Sequence, residues 1–170
     1  GEKNNEFTYN NCSFFYLTDT KKYANNFLGN IHGKLMSDVE SDPSRYDSIS
    51  GWALDIVKKY KCEQVALEGY SFGSKGKVFH IAENTGVLKY KFWENRIPVD
   101  IIAPTTVKKF ATGKGNADKT KMHESFMAET DKNLHQEITP LKKEVSNPVS
   151  DIVDSYYICK CFYDRLNSIS

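Results

Sequence analysis

Long hydrophobic runs are missing from this sequence. None approaches the ~18 residues of a membrane-spanning helix, and the opening stretch Gly1 to Asn11 is too polar for a secretory leader. A membrane role is therefore not expected, and the expected compartment is the cytoplasm. Cysteine is scarce and unpatterned: Cys12, Cys62, Cys159 and Cys161 form no CxxC pair, and none stands at zinc-ligand spacing to His32, His80, His123 or His135. Reduced thiols are the expected state. A charge excess is also lacking, since 23 basic residues face 22 acidic ones for a formal net charge of +1. This excludes a globally basic nucleic-acid binder and leaves room for a local basic patch. Complete glycine signatures for nucleotides are absent as well. "SFGSKGKV" has Ser71 where a P-loop needs its first glycine and Val78 where it needs Ser or Thr, and Gly113-Lys114-Gly115 lacks the third glycine of a dinucleotide fingerprint. No nucleotide cofactor is expected.

What is present is a chain of 170 residues with 13% aromatics, enough for one folded domain over 1–170 with a sizeable core. "EFTY" and "CSFFYLTD" read as two strands joined at Asn10-Asn11, an N-terminal antiparallel hairpin. "DPSRYDSISGWALDIVKKY" is an amphipathic helix, with Asp42 as cap, Pro43 in the first turn and Tyr46, Ile49, Trp52, Ile56 and Tyr60 at helical spacing. Gln64 to Glu68 is a short strand ending on a carboxylate, Val78 to Trp93 is a helix, and "IPVDIIAP" is a second buried strand bounded by prolines. "NADKTKMHESFMAETD" is helical, "NLHQEITPLKKEVSN" reads as a polar linker, and "NPVSDIVDSYYICKCF" is a closing helix that buries Val149, Ile152, Val153, Tyr156, Tyr157 and Phe162. Alternating strands and helices after a hairpin predict an α/β fold, a mixed sheet flanked by helices.

Three features carry chemistry. Glu68 closes a strand at the edge where open α/β sheets place ligands. Asp151 and Asp154 stand three apart on a helix, with Cβ atoms roughly 5–6 Å from one another, and repel by roughly 3–4 kcal/mol if partly buried at an effective dielectric of about 20. The helix dipole offsets only about 0.3–1 kcal/mol of that. Either both acids are solvated, or a divalent cation such as Mg²⁺ balances them. Finally, Thr105 to Met122 holds Lys108, Lys109, Lys114, Lys119 and Lys121 against the single acid Asp118. Its Thr-Gly-Lys-Gly centre suits backbone contacts to phosphate if the segment is more than a solvated loop.

In this order the segments resemble the RuvC-type Holliday junction resolvases of the ribonuclease H-like nuclease superfamily. "VALEGYSFG" is similar to the second acidic motif, "VKKFATGKGNADKTKM" to the lysine/glycine segment and "SDIVDSYYI" to the terminal Asp-x-x-Asp helix. The resemblance implies a ribonuclease H-like domain and a structure-selective endodeoxyribonuclease that resolves branched DNA with two Mg²⁺ or Mn²⁺ ions, as a homodimer, in a bacterial cell or phage-infected host. It implies Glu68, Asp151 and Asp154 as metal ligands and Lys108 and Lys119 as lysines at the cleaved phosphate. Tyr70 or Phe72 would stand against unstacked bases, and Lys75, Lys77, Lys109, Lys114 and Lys121 would be further DNA contacts. The family pattern opens with a strand bearing a metal-binding aspartate, whereas this sequence opens almost directly in the hairpin, with Glu6 and Asp19 outside that context. The missing aspartate comes from chain outside this sequence, from a second polypeptide, or is lost. A terminase-type nuclease and a non-catalytic junction binder with an incomplete metal site are the alternatives.

Overall fold

The computed structural model describes residues 6–38, 41–70 and 78–168. In chain order the strands are β1 (Phe14–Thr18), β2 (Asn26–Phe27), β3 (Ile31–Leu35), β4 (Val65–Glu68) and β5 (Val99–Ile102). The helices are α1 (Asp42–Lys59), α2 (Val78–Glu94), α3 (Pro104–Thr112), α4 (Lys119–Thr130), α5 (Leu134–Ile138) and α6 (Val149–Ser168). They fall into two units, one made of Gly1–Met36 with Thr105–Ser170 and the other of Ser37–Pro104.

The first unit holds a mixed sheet in the order β1-β3-β2. β1 pairs parallel to β3 from Phe14↔Ile31 to Thr18↔Leu35, and β2 pairs antiparallel to β3. The expected hairpin across Asn10-Asn11 does not form. Tyr9–Asn11 instead make a short 3-10 turn, closed by the Asn11 and Cys12 N–H groups on the Thr8 and Tyr9 carbonyls. The reason is tertiary: the Tyr9 ring is buried against Phe14 and Phe126, and its hydroxyl donates to Asn30 Oδ1 at 3.1 Å. The antiparallel turn lies later, between β2 and β3, where Leu28 and Gly29 take φ of 52° and 79°. Within the sheet Gly33 leaves room for Tyr16, whose hydroxyl donates to the Tyr23 carbonyl at 2.6 Å.

α6 packs against α4, α5 and β1. Val149, Ile152, Val153, Tyr156 and Tyr157 are buried as their spacing predicts, each stabilising the unit by roughly 1.5–3 kcal/mol. Phe162 is only half-buried, because Cys161, one turn after Tyr157, takes the inward place. Tyr156 meets Phe126 edge-on with ring centroids 5.1 Å apart. The polar linker expected after α4 also carries structure. Asn133 caps α5 through the Gln136 N–H, and Leu134, Ile138 and Thr139 are buried. Two inward apolar residues in a five-residue helix are too few to register as a periodic pattern.

In the second unit β4 and β5 pair parallel from Val65↔Val99 to Glu68↔Ile102, and α1 packs on α2. Both strands form where the sequence reading placed them, but β5 is not buried as expected: only Ile102 is buried, while Asp100 and Ile101 are exposed. Ser41 rather than Asp42 caps α1, its Oγ accepting the Ser44 N–H, so Asp42 becomes the first helical residue and Pro43 the second. Lys91 Nζ reaches Asp47 Oδ1 at 2.6 Å, and the Tyr46 hydroxyl donates to Glu83 Oε2 at 2.8 Å, both linking the two helices.

Candidate metal centre and nucleic-acid interface

Pro148 precedes α6 and directs the chain into a helix whose first two turns hold Asp151 and Asp154. Ile152 and Val153 between them are buried, which turns the flanking carboxylates outward: Asp151 is exposed and Asp154 half-buried. Although Asp151 keeps much of its surface open, the protein packed around its carboxyl group raises its pKa above the ordinary 3.8. The positive charge of Lys119 acts in the opposite direction. The carboxylate is thus desolvated by its surroundings and faces a cation from another helix, an arrangement that suits an added positive charge.

The lysine-rich segment is more ordered than a loop. Pro104–Thr112 form α3 with Val107 buried, so Lys108 is held half-buried and Lys109 exposed on a helix. Asp118 caps α4 by accepting the Lys121 N–H at 2.9 Å, which puts Lys119 and Lys121 in the first turn of that helix. Buried Ala117, Met122 and Phe126 anchor it from beneath. The expectation that Thr-Gly-Lys-Gly presents free backbone N–H groups needs correction. Gly113 N donates to the Lys109 carbonyl at 2.8 Å, and Lys114 N to Thr112 Oγ1 at 3.1 Å. Both donors are already used, so Lys114 has its side chain rather than its backbone to offer. Gly113, at φ 83°, supplies the left-handed turn that ends α3.

Glu68 is exposed at the C-terminal end of β4, as its place in the strand predicts. Gly69 follows with its N–H on the Ile102 carbonyl at 2.8 Å, and a Cβ there would sit 3.1 Å from Ile101 Cγ2, so glycine lets the two strand ends stay close. Tyr70 turns back onto α2, where its hydroxyl meets the Ala82 carbonyl at 3.4 Å and Lys89 Nζ lies 5.5 Å from the ring centre. Phe72, Lys75 and Lys77 lie outside the described residues. Among the described residues no three His, Cys, Asp or Glu side chains converge as a metal cluster. Asp151 and Asp154 alone still match the one or two carboxylates by which Mg²⁺ is commonly held. The coupling of Lys119 to Asp151 is the feature that sequence reading missed, since nothing local to either residue signals a contact between two helices.

Among the described residues no helix is long and apolar enough to cross a membrane. No curated protein matches the sequence. Two solved structures share its fold: a Thermus thermophilus RuvC structure, 21% identical with a TM-score of 0.55, and T. thermophilus RuvC in complex with a Holliday junction substrate, 19% identical with a TM-score of 0.56. In each case 78% of this chain is covered against 75% of the other. The ribonuclease H-like mixed α/β architecture expected from the sequence agrees with these neighbours. The family model of the crossover junction endodeoxyribonuclease RuvC matches residues 31–150, a span that takes in Glu68 and the lysines of α3 and α4 and stops one residue before Asp151. With well over half of its length matched, this chain belongs to the RuvC family and is a crossover junction endodeoxyribonuclease.

Proposed function

We propose that the chain resolves four-way DNA junctions by metal-dependent phosphodiester hydrolysis, with Asp151 and Asp154 of α6 holding Mg²⁺ or Mn²⁺ and Glu68 as the further carboxylate that the family resemblance implies. The observation that carries this reading is the pair of carboxylates, Asp151 and Asp154, turned outward three residues apart in the first two turns of α6 by the buried Ile152 and Val153 between them. When bound, a pair of such ions supplies an activated water and stabilises the leaving oxygen. The chain's own residues do the rest. Lys119 and Lys108 offset negative charge that builds on the phosphate. Lys109, Lys114 and Lys121, with Lys75 and Lys77, hold flanking phosphates, while Tyr70 or Phe72 stacks on opened bases.

The two units act as one nuclease domain, and two copies of the chain form the working enzyme, because a four-way junction offers two symmetric strands to cut. Tyr90 and Trp93, at 58% and 72% exposed, stand in contact near the end of α2 with ring centroids 5.9 Å apart. Phe79, 73% exposed, begins the same helix. Aromatic surface of this kind suits a protein partner, and a second copy is the occupant proposed. The site of action is the cytoplasm of a bacterial cell or phage-infected host.

The test is incubation with a synthetic four-way junction, a flap and a linear duplex, with Mg²⁺, Mn²⁺ or chelator. Paired incisions in the junction that need metal and vanish in Asp154→Asn are expected. Equal cutting of linear duplex would point to a terminase-type activity, and metal-independent binding without incision would overturn the hydrolytic reading.

A further inference from the structure

Asp151, Ser155, Cys159 and Tyr163 recur at four-residue steps along α6 and so follow one slowly turning side of the helix. The last three line a cavity of about 560 Å³ in the first unit. Its near end lies one turn from Asp151, about 6 Å along the axis. The facing wall comes from the segment that leads into β1 and from its first residue, Phe14. Phe7 places its ring 5.3 Å from that of Tyr156 and 5.7 Å from that of Tyr163, and Phe14 lies 6.4 Å from Tyr156. The volume falls within the range of small-molecule pockets. The rings give a stacking surface, and stacking a base on aromatic side chains contributes in a sequence-tolerant way.

Charge decides between the parts of a nucleotide. Among the described residues Glu6 carries the only carboxylate on the lining, and neither Lys nor Arg lines the cavity. The Cys12 thiol, also on the wall, is pushed up to about 11 by burial and stays neutral. A phosphate would be repelled here, whereas a base with an exocyclic amine can donate to the carboxylate, as cytosine N4 does to Glu or Asp. Asn11 steadies the Glu6 backbone by donating from Nδ2 to its carbonyl at 3.1 Å.

We propose that this aromatic cleft beside α6 receives an unstacked nucleobase next to the cleaved phosphate, and that Glu6 favours an amine-bearing base over thymine. The proposal rests on the assignment of Asp151 to the scissile site. The cleft and the acid share one helix, so a strand threaded past Asp151 runs close to the cleft.

The experiment uses the full chain and four-way junctions carrying 2-aminopurine at successive branch-point positions, in chelator so that nothing is cut. Quenching at one position on saturation is expected, and Cys159→Phe, which fills the cleft from an exposed site, should remove it while circular dichroism stays unchanged. No quenching at any position, or quenching unaltered by Cys159→Phe, overturns the proposal. Quenching of free 2-aminopurine riboside without quenching in any junction also overturns it, by showing that the cleft takes free bases rather than DNA. In Mg²⁺, cytosine at the quenched position should be cut about tenfold faster than thymine, and Glu6→Leu should erase the difference. Metal-dependent cutting indifferent to that base and to Glu6→Leu overturns base selection and leaves the nuclease reading intact. Loss of all cutting with quenching retained does the reverse.

Discussion

Lys119, in the first turn of α4, sets its positive charge against the Asp151 carboxylate in the first turn of α6. The two helices pack on one another, with the buried rings of Phe126 and Tyr156 meeting edge-on between them. The packing of the two helices thereby brings the charge of a lysine to bear on an acid of opposite sign.

This pairing predicts a trade-off at Asp151. Asp151→Asn should lower junction cleavage by at least about a hundredfold, the scale of losing one preorganised charge-stabilising group. The same change should raise the melting temperature in metal-free buffer. Because the folded-state pKa is raised above 3.8, the folded chain binds more protons than the unfolded one just above that pH, and stability falls as pH rises through the folded value. The asparagine variant escapes that loss. Thermal melts of both proteins between pH 4 and pH 7 check it, and a variant less stable than wild type at neutral pH would refute it.

Lys119→Met should leave Asp151 without its opposing charge, raising its pKa further and weakening metal-dependent activity. Combined with Asp151→Asn, the loss should be clearly less than the product of the two single losses, since both changes remove one interaction. Cleavage rates for the four proteins of the cycle decide this, and strict additivity would separate the two residues functionally.

His123 predicts an acid limit. It is buried, its Nε2 accepts the His135 N–H at 3.3 Å, and burial together with His135 lowers its pKa below 6.5. A histidine with a depressed folded pKa contributes stability above 6.5 that is lost as pH falls through the folded value. Replacement by Gln keeps an acceptor for His135 and should flatten the stability curve below pH 6.5. Urea midpoints measured across that range give the answer.

Gly33→Ala should destabilise the chain by about 1–3 kcal/mol, because overpacking forces neighbours from their minima. The added Cβ would fall on the Tyr23 carbonyl and 2.6 Å from Tyr16 Cζ. Tyr16→Phe, which removes the hydroxyl and its bond to Tyr23, should cost less, about 0.5–1.5 kcal/mol. Chemical denaturation of the two variants ranks them, and the reverse order would contradict the packing described.

Trp93→Lys should shift the protein toward monomer if α2 joins two copies, since a lysine in place of a 72% exposed indole puts charge into the proposed contact. Sedimentation at micromolar concentration reads the change. An unaltered mass would move the dimer contact elsewhere.

Much of the architecture follows from spacing alone. The 3.6-residue recurrence of Val149, Val153, Tyr156 and Tyr157 defines α6, and it follows that Asp151 and Asp154 face away from the core, because buried Ile152 and Val153 occupy the inward directions. The two short strands, one ending at Glu68 and the other bounded by prolines, were legible as short apolar runs, and their parallel pairing is set by the tertiary structure. The N-terminal hairpin that the sequence suggests does not form, because the Tyr9 ring is buried against Phe14 and Phe126 and the chain makes a 3-10 turn there instead. α3 and α5 escaped notice because short helices bury too few residues to show a period, and the N–H groups of Gly113 and Lys114 were spent on partners that no local motif announces. Periodicity is a property of neighbours in sequence, so the sequence by itself determined the long helices α1, α2, α4 and α6, the end of β4 at Glu68 and the acids and lysines that carry the chemistry. The pairing of Lys119 with Asp151, and the aromatic cleft that joins Phe7 and Phe14 to Tyr156 and Tyr163, bring together groups far apart in sequence. Only packing in three dimensions decided those, since it is the burial of the shared core that sets which distant side chains meet.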